Sequence, residues 1–257
     1  MDTTTIIIFL ALIVAVSIGI IVISQMRERA RIERVRRITA LEDAYNRAHR
    51  LLDEIPDQYL TRELKLLLAG RIEEICRELE SLRADLPVSK WRADARALKQ
   101  QVIDGTDENV PTKIDSPEKS AYVKELLQNL FKMIEALQKS GRIDSATAKK
   151  NLKHVLFLIH KTHADMHVYQ AREHIRQNEI RKAIHAYHLA STELGKSQDN
   201  PMAVKAVKSF RTRIKELEHS LANGEKAGTD EKQSRLDREW DNFLHEDDWK
   251  KKKNDYE

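Results

Sequence analysis

Residues 6–23 read IIIFLALIVAVSIGIIVI, and Ser17 is the only polar side chain among them. At 1.5 Å per residue this run makes about 27 Å of helix, close to the thickness of a bilayer's hydrocarbon core. A core helix of a soluble domain would carry polar residues at helical spacing, and this run does not. A cleaved signal peptide needs basic residues ahead of the apolar run, but the chain opens Met1-Asp2-Thr3-Thr4-Thr5. The basic residues follow instead, as RERARIERVRR over 27–37, with Arg27, Arg29, Arg31, Arg34, Arg36 and Arg37 against Glu28 and Glu33. Positive flanks stay on the cytoplasmic side. The expectation is a single-pass protein of the cell (inner) membrane, with residues 1–5 outside, a transmembrane helix over 6–24 and the rest in the cytoplasm. The six arginines serve as the topology signal and as groups able to rest on anionic lipid headgroups of the bilayer.

Beyond the run, the composition is that of a helical chain: 33% charged residues, 5% aromatic, seven Gly and five Pro in 257 residues. That is too few turn residues for a β-sandwich or barrel, and the expected fold is all-α. The 45 basic and 41 acidic residues leave a net charge of +4, which gives no global argument for nucleic acid as a partner. The basic stretches also lack interleaved aromatics for stacking bases. The single Cys76 excludes an internal disulfide and any cysteine-cluster zinc site.

No Gly or Pro interrupts residues 24–55, so the first helix is expected to continue out of the membrane. Ile38, Leu41, Tyr45, Ala48, Leu52 and Ile55 fall at gaps of three and four, a heptad seam that Pro56 ends. Leu64, Leu68, Ile72, Ile75, Leu79 and Leu82 repeat the pattern up to Pro87. Trp91, Ala95, Leu98 and Val102 mark a shorter third helix with Ser89 as its candidate cap. Residues 25–103 thus read as a coiled-coil-like juxtamembrane hairpin, whose first seam is also a route to self-association as a homo-oligomer. Residues 104–116 carry Gly, Pro, Asn and Asp and read as a linker.

A helical domain is expected over 117–222. Ser116, Pro117 and Glu118 spell a helix start, with the apolar face Val123, Leu126, Leu127, Leu130, Phe131, Ile134 and Leu137 behind them. Gly141 closes that helix, and Asp144 or Ser145 opens a long one to about Gln177, apolar enough over 155–159 to read as a buried central helix. Asn178 permits a turn, Gly195 ends the next helix, and Asn200-Pro201 starts the last. Within this domain Ala171, Ala183, Tyr187 and Ala190 occupy the small and aromatic positions of a helix pair, so that residues 167–195 resemble one tetratricopeptide repeat. His167 and His174 depart from its large apolar and aromatic positions. The resemblance implies stacking of helix pairs, and a concave peptide-binding face only where neighbouring hairpins stack alike.

Seven of the ten histidines fall between His154 and His188. His160, His163, His167 and His174 lie within about 60° of one another on a helix, and His185 and His188 sit three apart on the next. Imidazoles at such spacing are the candidate metal ligands of this chain, or the elements of a pH-responsive surface. Against the metal stand the absence of HExxH and of a cysteine partner, and the reading here is of a polar stripe. No Walker loop, GxGxxG or GxSxG occurs. The chain is therefore expected to be no enzyme and to need no cofactor.

Residues 223–257 form a polar, acidic-aromatic tail. Trp240, Phe243 and Leu244 share one helical face, with Trp249 beyond, among Asp237, Glu239, Asp241, Glu246, Asp247 and Asp248. A short amphipathic segment on a tether fills a groove on a partner. The sequence therefore reads as a membrane-anchored scaffold or adaptor for cytoplasmic proteins, with metal or pH sensing and structural self-association as the alternatives.

Overall fold

The computed structural model of the chain describes residues 3–107 and 112–223, with side chains from residue 18 onward. It is all-α, with no strand among the described residues. The helices are α1 (Thr3–Glu54), α2 (Arg62–Ser81), α3 (Val88–Asp104), α4 (Pro117–Lys139), α5 (Ser145–Arg176), α6 (Ile180–Gly195) and α7 (Pro201–Ala222), with a 3-10 turn at Asp57–Tyr59. Among the described residues no helix is long and apolar enough to cross a membrane. Most of the expected span, the side chains up to residue 17, lies outside them. The chain divides into two compact units, Met1–Leu52 with Lys65–Asp107, and Asp53–Leu64 with Glu108–Glu257.

In the first unit, α1 buries Leu41, Tyr45, Ala48 and Leu51, α2 buries Leu68, Ala69, Ile72, Ile75, Cys76 and Leu79, and α3 buries Val88, Ala95 and Val102. The seam expected through Leu52 runs through Leu51 instead, and Leu52 is half-buried. The two leucines are 100° apart on the helix, and the neighbouring helices choose between them. Of the expected seam positions, Leu41, Tyr45, Ala48 and Ile55 are buried. Trp91 is half-buried and stacks on Tyr45 with ring centroids 3.9 Å apart. Ser89 is not the cap of α3; Pro87 holds that position without a side-chain bond, and Ser89 is exposed inside the helix. Cys76 is packing: burial pushes its thiol up to about 11.

One contact closes the α1–α2 pair. Arg83 takes the left-handed conformation (φ 50°) after the end of α2. The Arg34 guanidinium reaches across from α1, donating from Nε and Nη2 to Leu82 O at 2.9 and 2.5 Å and from Nη2 to Arg83 O at 3.1 Å. Helix C-termini leave carbonyls without partners and carry partial negative charge, so an arginine there satisfies both needs. Arg37 lies 3.5 Å from Glu78 one turn further on.

In the second unit each helix packs on the next in chain order, α4 on α5, α5 on α6 and α6 on α7. The starts follow the local signals. Ser116 Oγ accepts from Lys119 N at 3.2 Å, Asp144 Oδ1 from Thr147 N at 2.9 Å, and Asn200 Oδ1 from Met202 N at 2.9 Å. Two ends use left-handed residues, Gly141 (φ 69°) and Asn178 (φ 61°). The buried residues of α5 form two stripes, Ala148, Asn151, Val155, Leu158 and Thr162, then Phe157, Lys161, Ala164, Val168, Ala171 and Ile175. Their centres are about 140° apart, one for each neighbouring helix. This arrangement corrects the expectation of a helix buried on all sides over 155–159, because Leu156 is exposed and Ile159 half-buried. Small residues dominate where α5 meets α6: Ala171, Ala183, Ala186 and Ala190 are buried, and Tyr187 packs with Phe210 of α7 at 6.0 Å between centroids.

The segment Asp53–Leu64, which the seam pattern assigns to the hairpin, groups with this second unit. Its Gln58 amide pairs with the backbone of Thr112, donating to the carbonyl at 2.8 Å and accepting from the N–H at 2.7 Å. Ile114, in the expected linker, is buried. The register of α1 gives a direct test. Leu51→Ala should cost about 2–5 kcal/mol. Leu52→Ala should cost less than about 2 kcal/mol, because less of its surface leaves water on folding. Urea unfolding of the full chain, followed by circular dichroism, separates the two; equal costs would refute the register.

Candidate functional site

The most unusual surface among the described residues lies on α1 before the hairpin. Ile18, Ile20, Ile21, Val22 and Ile23 are each 48–63% exposed. At 100° per residue they cover every side of the helix. Met26, Ile32 and Val35 are exposed as well. The same unbroken helix then carries Arg27, Arg29, Arg31, Arg34, Arg36 and Arg37, all exposed. The structure separates these six. Arg34 and Arg37 are engaged with α2 as described; among the described residues Arg27, Arg29, Arg31 and Arg36 make no such bond to α2 or α3.

The histidines do not converge. Among the described residues no three His, Cys, Asp or Glu side chains gather around a point that could hold a metal ion. His160 Nδ1 stands 3.7 Å from a Glu193 carboxylate oxygen on α6. His167 Nδ1 pairs with Gln170 Oε1 at 3.2 Å, and His174 Nδ1 with Glu179 Oε2 at 2.9 Å. His185 and His188 are exposed on α6. His160, His163 and His167 form a half-buried strip between the two buried stripes of α5. Burial is the main cause that lowers the His160 and His163 pKa values below the ordinary 6.5, with Lys124 and Lys196 adding to it and Glu193 opposing. Glu193 is itself held low: burial works against this, but Lys196, His163 and His160 outweigh it.

On the other side of α5 is a cluster that no motif announces. Tyr59 is fully buried, and its hydroxyl donates to Asp165 Oδ2. Lys161, only 2% exposed, donates to the same oxygen at 2.5 Å and lies 4.8 Å from the centroid of the Tyr59 ring. A buried ammonium is tolerable only with a partner, and removing one member of such a pair costs roughly 3–5 kcal/mol. Burial and the neighbouring Asp165 charge raise the Tyr59 pKa well above its ordinary value, so the phenol stays a donor. The arrangement fixes segment 53–64 on α5; it holds no exposed nucleophile. One signal was available in the sequence, because Lys161 occupies a seam position between Phe157 and Ala164.

Trp240, Phe243, Leu244 and Trp249, the expected partner-binding residues, lie outside the described residues.

The histidine strip sets a pH dependence. Both folded-state pKa values lie below the unfolded value, so the unfolded chain takes up protons first as pH falls. The stability contribution is complete above about pH 6.5 and is lost as pH drops through the lowered values. Thermal unfolding from pH 8 to pH 5 should show a falling midpoint, and His160→Gln with His163→Gln should flatten that slope. An unchanged slope in the double variant would refute the assignment.

No known protein family, characterised protein or solved structure matches this chain, so its functional reading rests on its own residues.

Proposed function

We propose that the protein is a single-pass, membrane-anchored helical scaffold that holds its helical units at the cytoplasmic face and recruits protein partners there. The observation that carries this reading is the apolar surface around the whole circumference of α1 at Ile18–Ile23. It continues the charge-free run from Ile6 and passes without a break into an arginine-rich stretch. An all-round apolar helix needs apolar surroundings on every side, and a bilayer supplies them. The arginines after it favour a cytoplasmic C-terminal side.

The scaffold part of the reading draws on the second unit. Its helices stack in chain order, with alanines where α5, α6 and α7 meet. This is the kind of stacking that the tetratricopeptide resemblance implies. The tail adds the linear motif, with Trp240 and Phe243 as anchors and carboxylates around them. A second reading, a pH-responsive scaffold, has the half-buried His160–His163 strip in its favour.

Membranes carrying the full chain provide the test. The chain should stay in the membrane pellet through high salt and alkaline washing. Chemical cross-linking in those membranes should yield a heterologous adduct that Trp240→Ala with Phe243→Ala removes. Each anchor contributes roughly 1.5–3 kcal/mol of burial, so losing both should reduce capture by more than about ten-fold. A double variant that instead lowers the unfolding midpoint by several degrees would show the tail packed on its own chain, and the recruitment reading would fall.

A further inference from the structure

We propose that the arginine stretch of α1 is divided between two tasks: Arg27, Arg29 and Arg31 bind anionic phospholipid headgroups, and Arg34 with Arg37 latches the helical hairpin. The inference rests on the membrane reading above and says which side chains face lipid and which class of lipid they select.

Distance along the helix sets the division. Arg27, Arg29 and Arg31 stand about 6, 9 and 12 Å beyond Ile23 along the axis, and Arg34 and Arg37 about 16 and 21 Å. The headgroup layer extends roughly 5–7 Å past the hydrocarbon on each side. The field of an anionic surface then fades over a Debye length of about 8–10 Å. The first three arginines fall inside that range, and their flexible stems can bring the charge back to the interface. Arg34 and Arg37 fall at or beyond its edge.

The contacts agree with the distances. Arg34 spends Nε and Nη2 on the carbonyls of Leu82 and Arg83, and Arg37 faces Glu78. Arg27, Arg29 and Arg31 are exposed, and among the described residues no hydrogen bond or ion pair joins them to α2 or α3. By helical geometry Arg27 and Arg31 lie about 40° apart and Arg29 about 160° from both, so the three straddle the helix and can engage headgroups on two sides. Glu28 offsets one of the three charges and leaves a local excess of two.

A second copy fits this surface less well. Exposed Ile32 and Val35 would be the seam of a parallel α1 dimer. At heptad spacing that seam has Arg31 and Arg36 as its flanking charges, and it sets Arg31 of one chain against Arg36 of the other. An anionic surface meets the same charges with attraction.

The experiment uses the full chain in uncharged detergent micelles, with phosphatidylglycerol or phosphatidylcholine added in equal amounts and retained phospholipid measured per chain after gel filtration. The wild type should retain phosphatidylglycerol in preference to phosphatidylcholine. Each arginine near the surface is worth about five-fold. Arg27→Gln with Arg29→Gln and Arg31→Gln should therefore cut the preference by at least about ten-fold, and the matching Lys triple should preserve it. Arg34→Gln should leave the lipid preference unchanged and lower the unfolding midpoint. Equal retention of the two lipids, a Gln triple that behaves as wild type, or loss of the preference on Arg34→Gln alone would each overturn the division. A lipid preference that disappears together with a dimer on Ile32→Asp would assign the surface to a second copy and overturn it too. A chain that remains in solution without detergent would instead refute the anchor itself.

Discussion

A helix can leave an apolar side chain in water singly, but not a ring of them around its whole circumference. That constraint governs α1. Around Ile18–Ile23 the helix is apolar on every side, and from Leu41 to Leu51 it is apolar on one side only. Each pattern demands different surroundings: a medium on all sides for the first, and neighbouring helices on one side for the second. Because one unbroken helix carries both, the position of the first unit follows from whatever surrounds the apolar end. The stretch between them holds the arginines, and Arg34 and Arg37 mark where α1 begins to be a member of a bundle.

The first unit relies on large aliphatic seams and on the Tyr45–Trp91 stack. The second also buries large side chains, Leu126, Leu127, Leu130, Ile134, Phe157 and Phe210, and adds small ones on α5 and α6, with Ala164, Ala171, Ala183 and Ala190 fully buried. Close approach of helices at alanines fixes their spacing but gives less apolar burial per residue. A buried polar cluster, Tyr59, Lys161 and Asp165, adds geometric definition where burial alone would allow several arrangements. Its members lose most if separated, which ties segment 53–64 to one place on α5.

Local chemistry was legible in the sequence, and choices made by distant neighbours were not. Ser116, Asp144 and Asn200 cap their helices through bonds to residues two or three positions on, so a short window of sequence contains the whole argument. The same holds for Gly141 and Asn178 at helix ends. Leu51 and Leu52 are both plausible seam residues, and the packing partners of α1 decided between them. Ser89 looked like a cap because it precedes an apolar face, but Pro87 already occupied that position. The role of Lys161 depends on Tyr59, 102 positions away in the chain, and only its seam position hinted that it was buried. The histidine periodicity was real, yet shared periodicity on α5 did not bring three imidazoles to one point. The tail signal lies outside the described residues, so its reading still stands on composition and spacing alone.

The central claim is that α1 holds the chain in a membrane with both helical units on the cytoplasmic side. Fusing an enzyme that is active only outside the cytoplasm to the chain after Glu257 tests it most directly, with a second fusion in which residues 27–37 have their arginines replaced by glutamines as the comparison. The account predicts a membrane-bound, inactive reporter on the wild-type chain, and at least partial activity once the arginines are gone. An active reporter on the wild-type chain would contradict the orientation, and an inactive reporter found in the soluble fraction would contradict the anchor.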